Sequence, residues 1–316
     1  MKRIIFLLVV TFALPAVAQP FPTKPVRVIV GFGAGGGADV AVRIIAQGMA
    51  AQLGQPVVVE NRPGAESVIA ADAVRTSPPD GYTMLLGTNT AMVAVPTQRV
   101  PPPYDPFRDF TPISTIGRFT MFLVIGPKIP AKNVGELIEF IRTHPGQLNY
   151  ASSNSAAQLA AVQLLMAGKL DMVHVRYKGD PQALQDLMTD RIQMMFTTGT
   201  TAPPLVKEGR IRALATLLQS RSPLLPEVPT AAEAGLQRLS IQAWAAFFGP
   251  ANLPADIAAR LSKEVGAALK RPEVREQLER QGFEGEGSTP EALAQFHKGQ
   301  YDAWVRTVRD AGIQFE

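Results

Sequence analysis

The chain has 316 residues, more than one small core needs and enough for two domains. It contains no cysteine, which excludes disulfides, thiol nucleophiles and thiolate metal sites. His144, His174 and His297 lack any ligand spacing, so no metal or cofactor is expected. Its 31 basic and 27 acidic residues are interspersed without a basic block, which leaves nucleic-acid binding without support.

Lys2 and Arg3 precede an apolar run over 4–10, and Ala16 and Ala18 make a small-x-small site before Gln19. This pattern predicts a secretory signal peptide over 1–18, cleaved after Ala18, and a periplasmic location. A membrane anchor is the competing reading. The apolar stretch falls short of the roughly 20 residues a spanning helix needs, and Pro15 closes it. No cysteine follows the cleavage site, so a lipoprotein is not expected. Loss of Lys2 and Arg3 lowers the formal charge from +4 to +2.

In chain order, a buried strand over 26–30 leads through a glycine-rich turn over 31–37 into a helix over 39–53. A strand over 56–59, a helix over 67–75 and a strand over 83–86 follow. This alternation predicts a parallel sheet with right-handed crossovers. A strand over 119–125 opens a second α/β set. Its helices fall at 134–142, 155–167, 181–188 and 202–208, and its strands near 150 and at 172–175, 192–196 and 211–215. An extended segment over 241–248 then leads to helices at 255–269, 272–281 and 290–310, with no strand among them. Such helices are expected to cover the first sheet. Two chain crossings, near Phe119 and Trp244, would form a hinge. Lobe one is therefore placed at 19–120 and 243–316, and lobe two at 121–242.

The segment Gly31-Phe-Gly-Ala-Gly-Gly-Gly-Ala-Asp39 lies between a strand and a helix. Glycines there expose backbone N–H groups, and the helix start adds a partial positive charge, so the loop suits an anion. A Cβ at Gly36 is expected to block that approach and to penalise a positive φ. Gly31, Gly33 and Gly36 also fit G-x-G-x-x-G, with Glu60 ending the next strand, the pattern of a dinucleotide site. The export signal argues against that reading, because nicotinamide cofactors are cytoplasmic. A plain tight turn is the third reading. Asp39 reads first as a helix N-cap and second as a residue that orders the loop.

Several stretches together resemble a known family. They are the 31–39 loop, Gly54-Gln-Pro-Val-Val-Val-Glu-Asn-Arg-Pro-Gly64, Pro79-Asp-Gly-Tyr-Thr83, Tyr104-Asp-Pro106, Asp171-Met-Val-His-Val175, Tyr177-Lys-Gly179, Gly209-Arg-Ile-Arg-Ala-Leu-Ala215 and Leu225-Pro-Glu-Val-Pro-Thr-Ala231. In this order the chain resembles the tripartite tricarboxylate transporter receptors, the Bug family of periplasmic solute-binding proteins. The resemblance implies an α/β, two-lobed periplasmic binding protein fold, type II-like, with a ligand cleft between lobes and C-terminal helices packed back on lobe one. It implies a monomeric receptor for a small carboxylate-bearing metabolite, serving membrane transporter subunits or a sensor protein. Carried over residue by residue, the first loop supplies Phe32, Ala34, Gly35, Gly36 and Asp39, and the turn after the third strand supplies Thr88 and Asn89. The second loop supplies Ser152, Ser153, Asn154 and Ser155, and the position of the family's F-D-N segment supplies Thr197.

The chain departs from the family where ligands are selected. Its second loop lacks the usual glycines and carries Gln158 in place of a histidine. Glu66 and Ser67 replace glycines of P-G-A-G-G, and Phe196-Thr-Thr198 replaces F-D-N. Arg176 and Lys178 read as solvated, His174 as structural, and Met194 and Met195 as core. Trp244 and Tyr150 fit either the cleft or hinge packing. An exported enzyme of the same fold is the alternative function. No G-x-S-x-G, H-E-x-x-H or acid cluster supports it, although Ser152, Ser153 and Ser155 could pair with a histidine in space.

Overall fold

The chain is described from a computed structural model over residues 21–310, except 178, 237, 238 and 240–242. The expected signal peptide, Lys178 and the first two residues of the extended 241–248 segment lie outside the described residues.

β1 (Val26–Val30) leads through the glycine turn into α1 (Gly37–Leu53), β2 (Val57–Asn61), a 3₁₀ turn and α2 (Val68–Arg75), and β3 (Thr83–Thr88). A π turn at Thr90–Ala94 runs into the short α3 (Val95–Gln98), and β4 (Phe110–Phe119) closes this half. Val26, Val28, Ile29 and Val30 are all buried, because β1 lies between β2 and β3, parallel to both, and is covered on both faces.

Lobe two follows after one residue, Thr120. It comprises β5 (Met121–Ile125), α4 (Val134–Arg142), β6 (Asn149–Ser152), α5 (Ser155–Gly168), β7 (Val173–Arg176), α6 (Asp180–Met188), β8 (Met194–Thr198), α7 (Ala202–Lys207) and β9 (Arg212–Thr216). The chain returns as β10 (Ala243–Pro250) and ends with α8 (Ala255–Leu269), α9 (Pro272–Arg280), β11 (Phe283–Gly285) and α10 (Pro290–Asp310). The two sheets run β11-β4-β10-β3-β1-β2 and β7-β6-β8-β5-β9.

Three features differ from the sequence expectation. The stretch over 119–125 is not one strand: β4 ends at Phe119 in the first sheet and β5 starts at Met121 in the second. β4 carries Pro112, Gly117 and several hydroxyls, which hide a strand pattern. Pro112 is tolerated because β11 pairs with β4 only from Gly117 to Phe119, leaving Pro112 without a partner on that side. The first sheet is mixed, since the returning β10 is antiparallel to β3 and β4. The C-terminal helices are not free of strands. β11 is three residues long, too short for periodicity to reveal, and backbone pairing to β4 forms it.

The C-terminal helices cover lobe one on both sides. Gly48 of α1 lets α8 and α9 approach closely: a Cβ there would lie 3.1 Å from both Ala268 and Val274. On the other face α10 buries Leu293, Trp304 and His297. His297 Nε2 donates to the Met92 carbonyl (2.9 Å) and stacks on Phe107. α10 also reaches lobe two, where Gln163 meets Thr307 at 3.2 Å.

Burial holds the His297 imidazole below the usual histidine range, outweighing the bond to Met92, and burial does the same to His174. The unfolded chain takes up protons at these positions below about pH 6.5, where the folded chain resists them. Stability is therefore full above that pH and falls as the pH drops through it. Thermal melts from pH 7.5 to 5 should show this decline, and His297→Gln should flatten it even if that variant melts lower throughout.

Candidate functional site

Two glycine- or hydroxyl-rich loops end in helix starts that face one another from separate lobes. In lobe one, α1 begins at Gly37 after Gly36, and no side chain caps it. The first-turn N–H groups are thus free of side-chain acceptors. Asp39 is buried behind the loop and spends its carboxylate on it. It accepts from the Gly35 N–H (2.8 Å), from Arg43 Nε (3.0 Å) and from Asn61 Nδ2 (2.8 Å). Asn61 also donates to the Phe32 carbonyl at 3.1 Å. Burial alone would raise the Asp39 carboxyl, but the bonds from Arg43, Gly35 and Asn61 hold it below its usual value. Asp39 therefore orders the loop and is not the N-cap, a position held by Gly36.

The glycines have distinct reasons. Gly35 sits at φ +78°, where an L side chain is strained. Gly36 has φ −73°, so the expected positive-φ penalty does not apply there, and a Cβ would meet only the Gly33 carbonyl, at 3.4 Å. Gly37 is the sensitive position, because its Cβ would lie 3.2 Å from Thr200 of lobe two. At Gly31 a Cβ would collide with Ser67, at 2.4 Å. The first glycine of the G-x-G-x-x-G match therefore serves packing against Ser67. Glu60 is engaged by Arg62 at 2.6 Å and by Arg27 at 3.8 Å.

Lobe two has an equivalent buried carboxylate that the sequence reading missed. Asp180 starts α6 and accepts from Ser153, from Thr197 Oγ1 (2.8 Å), and from both the N–H (3.0 Å) and the hydroxyl (2.9 Å) of Thr198. It joins the 152–155 loop to the end of β8. Asn154 caps α5 by accepting from the Ala157 N–H at 2.9 Å. Asp180 follows Gly179 at a helix start, and that context alone could have marked it.

Between these loops lies a cavity of about 140 Å³. Of the expected residues, Phe32, Thr88, Asn89 and Asn154 line it, and Gly37, Ala38, Thr198 and Thr200 join them. Ala34, Gly35, Gly36, Asp39, Ser152, Ser153, Ser155 and Thr197 are not among its lining residues. Thr197 is fully buried and spent on Asp180. Ser152 is also buried and pairs with His174 Nε2 at 2.7 Å, while the His174 ring stacks on Tyr150. The hinge strands contribute Phe119, Met121, Ala243 and Trp244, which the sequence reading did not assemble into one surface. Asn89 Oδ1 accepts from the Trp244 N–H at 3.0 Å and so anchors the returning strand.

A larger groove of about 630 Å³ lies by Thr120, Arg221, Lys270 and Gly282. Thr120 lines this groove, while its neighbours Phe119 and Met121 line the inter-loop cavity. The helix starts meet only at the smaller cavity. Across the lobes, Arg176 pairs with Glu66, which Arg99 also holds at 3.4 Å. Ala65, Glu66 and Ser67 all have positive φ (46°, 58° and 73°), a costly run for residues that carry a Cβ.

Two α/β lobes joined by paired strands, with anion-suited loops facing across the gap, define the class of two-lobed periplasmic binding proteins. The chain belongs to the tripartite tricarboxylate transporter family receptors, whose family pattern matches residues 41–313. Three solved structures are similar across nearly all of it. The periplasmic binding protein BugD has a TM-score of 0.80 at 29% identity, covering 93% of this chain and 99% of its own. Rpa4515 of R. palustris with adipate has 0.83 at 30%, covering 93% and 99%. MatC from Rhodopseudomonas palustris with bound malate has 0.77 at 31%, covering 91% and 100%. Among the described residues, no helix is long and apolar enough to cross a membrane.

Removing the Asp180 carboxylate strands the buried Thr197 hydroxyl, at roughly 1–3 kcal/mol for a buried group left unmatched, and removing that of Asp39 takes away the acceptor that ties Gly35, Arg43 and Asn61 together. Asp180→Ala and Asp39→Ala should each lower the melting temperature by several degrees, with Asp180→Asn recovering part of the loss. Unchanged melting in the alanine variants would show that these networks do not hold the loops.

Proposed function

We propose that the chain is exported, loses residues 1–18, and serves in the periplasm as a solute receptor that performs no chemistry on its ligand. Lobe one (19–120 and 243–316) and lobe two (121–242) close around a small carboxylate-bearing metabolite, which is then presented to membrane transporter subunits or a sensor. The receptor acts as a monomer. The observation that carries this reading is the convergence of two helix starts, α1 and α5, from different lobes on one small cavity.

A carboxylate placed there gains charge-assisted hydrogen bonds, worth roughly 1.5–3 kcal/mol each, and smaller charge–dipole attractions of about 0.3–1 kcal/mol. A ligand that touches both loops binds the closed state better than the open one, and that difference drives closure. Relatives described with adipate and malate agree with a carboxylate ligand. An enzyme reading would rest on the Ser152–His174 pair, the one Ser–His contact among the described residues. Ser152 is buried outside the cavity lining, which disfavours attack on a bound substrate.

Gly37→Val tests the site. Its Cβ branch would press on Thr200 and hold the lobes apart. Calorimetry should show carboxylate binding weakened at least tenfold, about 1.4 kcal/mol, with the melting curve little changed. Gly36→Val should do much less. Small-angle scattering should show that wild-type protein contracts with ligand and the Gly37 variant does not. Turnover of any bound acid would replace the receptor with the exported-enzyme reading.

A further inference from the structure

Asn89 and Thr90, on the cavity wall, begin a helical stretch whose hydrogen bonding is irregular. The Val95 N–H donates to the Thr90 carbonyl, five residues back, where an α-helix would bond four back to Ala91. Pro96 comes next and has no N–H to give. It withholds a donor from the Met92 carbonyl in the α register and from the Ala91 carbonyl in the π register. With Val95 committed to Thr90, Ala91 has no donor in either register.

Side chains from outside the turn supply what is missing. The Tyr104 hydroxyl donates to the Ala91 carbonyl at 2.6 Å, and His297 Nε2 of α10 donates to the Met92 carbonyl at 2.9 Å, both in buried surroundings. Thr97 of α3 serves the carbonyls of Val93 (2.8 Å) and Ala94 (2.9 Å) in the same way. A buried carbonyl left unmet is costly, and a turn escapes that cost by rewinding. The His297 ring also packs on that of Trp244, whose backbone N–H donates to Asn89 Oδ1 at 3.0 Å. Trp244 itself lines the cavity. The π turn, Trp244 and Asn89 thus form a ring of contacts that passes through one imidazole.

Resting on the receptor reading above, we infer that Tyr104 and His297 are positioning residues for the ligand. They hold the turn in the register that sets Asn89 and Thr90 on the cavity wall, although neither of them lines that cavity. A turn free to rewind would spend part of its time with Asn89 and Thr90 displaced, and affinity falls with the fraction of protein in the competent form.

Tyr104→Phe keeps the ring against Phe110 and removes only the donor. His297→Leu removes the other donor, and His297→Gln restores an N–H. Leu278→Ala in α9, buried on the other face of lobe one, is the control for plain loss of stability. Native-state hydrogen exchange of the Val95 N–H reads the register directly, and the Val28 N–H of β1 reports global opening. In Tyr104→Phe and His297→Leu, Val95 exchange should rise about three- to tenfold more than Val28 exchange, the size of one neutral hydrogen bond. Calorimetry should show adipate and malate weakened by the same factor, with His297→Gln near the wild type and Leu278→Ala unchanged. Val95 exchange rising no more than Val28 exchange, or Leu278→Ala weakening the acids as much as Tyr104→Phe does, would overturn the inference and leave the receptor reading intact. Should neither acid bind the wild-type chain, the receptor reading fails for them, and Val95 exchange still decides whether Tyr104 and His297 hold the turn.

Discussion

The site depends on two buried carboxylates that never need to touch a ligand. Asp39 and Asp180 sit in separate lobes, each behind a loop, and each accepts hydrogen bonds from that loop's backbone or hydroxyls. A loop that must expose N–H groups cannot use them to hold its own shape. A buried acceptor solves this by binding other donors of the same loop. The cost of desolvating the carboxylate is offset by several bonds, and the loop stays rigid without blocking its open face. Asp39 has a further partner, Arg43, one helical turn along α1, which together with Gly35 and Asn61 holds the carboxyl below its usual value against the opposing effect of burial.

The hinge obeys a related economy. Thr120 is the sole residue between two strands of different sheets, and both its backbone groups are engaged. Its N–H donates to the Gly282 carbonyl at 2.7 Å, and its carbonyl accepts from the Gly199 N–H at 2.8 Å. One partner belongs to each lobe. The crossing is therefore a satisfied backbone junction and no loose linker, so motion there must take the form of small dihedral changes in paired strands. Close packing of Gly199 on Gly282, where a Cβ would come within 3.2 Å or less, lets the two lobes share that junction.

Much of this was legible in the sequence, and the reasons differ by element. The buried run of β1, the glycine turn and α1 follow from periodicity and composition, because local pattern and tertiary role agree there. Asn61 and Asp180 were not legible as parts of the site, and Thr198 only as the end of the Phe196-Thr-Thr198 segment. Their roles come from pairing across more than fifteen positions of chain, between α6 and β8 or between α1 and β2, which no local pattern encodes. Asp39 was found by its place in the loop, yet its role was set by Asn61 and Arg43. β4 and β11 escaped notice because Pro112, Gly117 and a three-residue length defeat the strand period, while pairing in the sheet forms them anyway.

The ion pair between Glu66 and Arg176 bears on what holds the lobes together. The Arg176 side chain is 66% exposed, so the pair is screened by water and salt and contributes no more than about 1 kcal/mol. Against it stands the strained run Ala65–Ser67 that presents Glu66, at a cost of order 1–3 kcal/mol for each sparsely populated conformation. The strain is held by packing rather than by the ion pair: Ser67 fits against Gly31, and Ser67 Oγ donates to the Gly31 carbonyl at 3.3 Å. The Glu66 segment is thus part of the lobe-one frame, and the ion pair adds only a weak attraction between the lobes. In the receptor we propose, tight closure calls for a stronger attraction across the gap, which a ligand bonding to both helix starts would supply. For such a receptor, ligand selectivity and lobe closure are one free-energy difference, set by how much better the ligand matches the closed pair of loops than the open one.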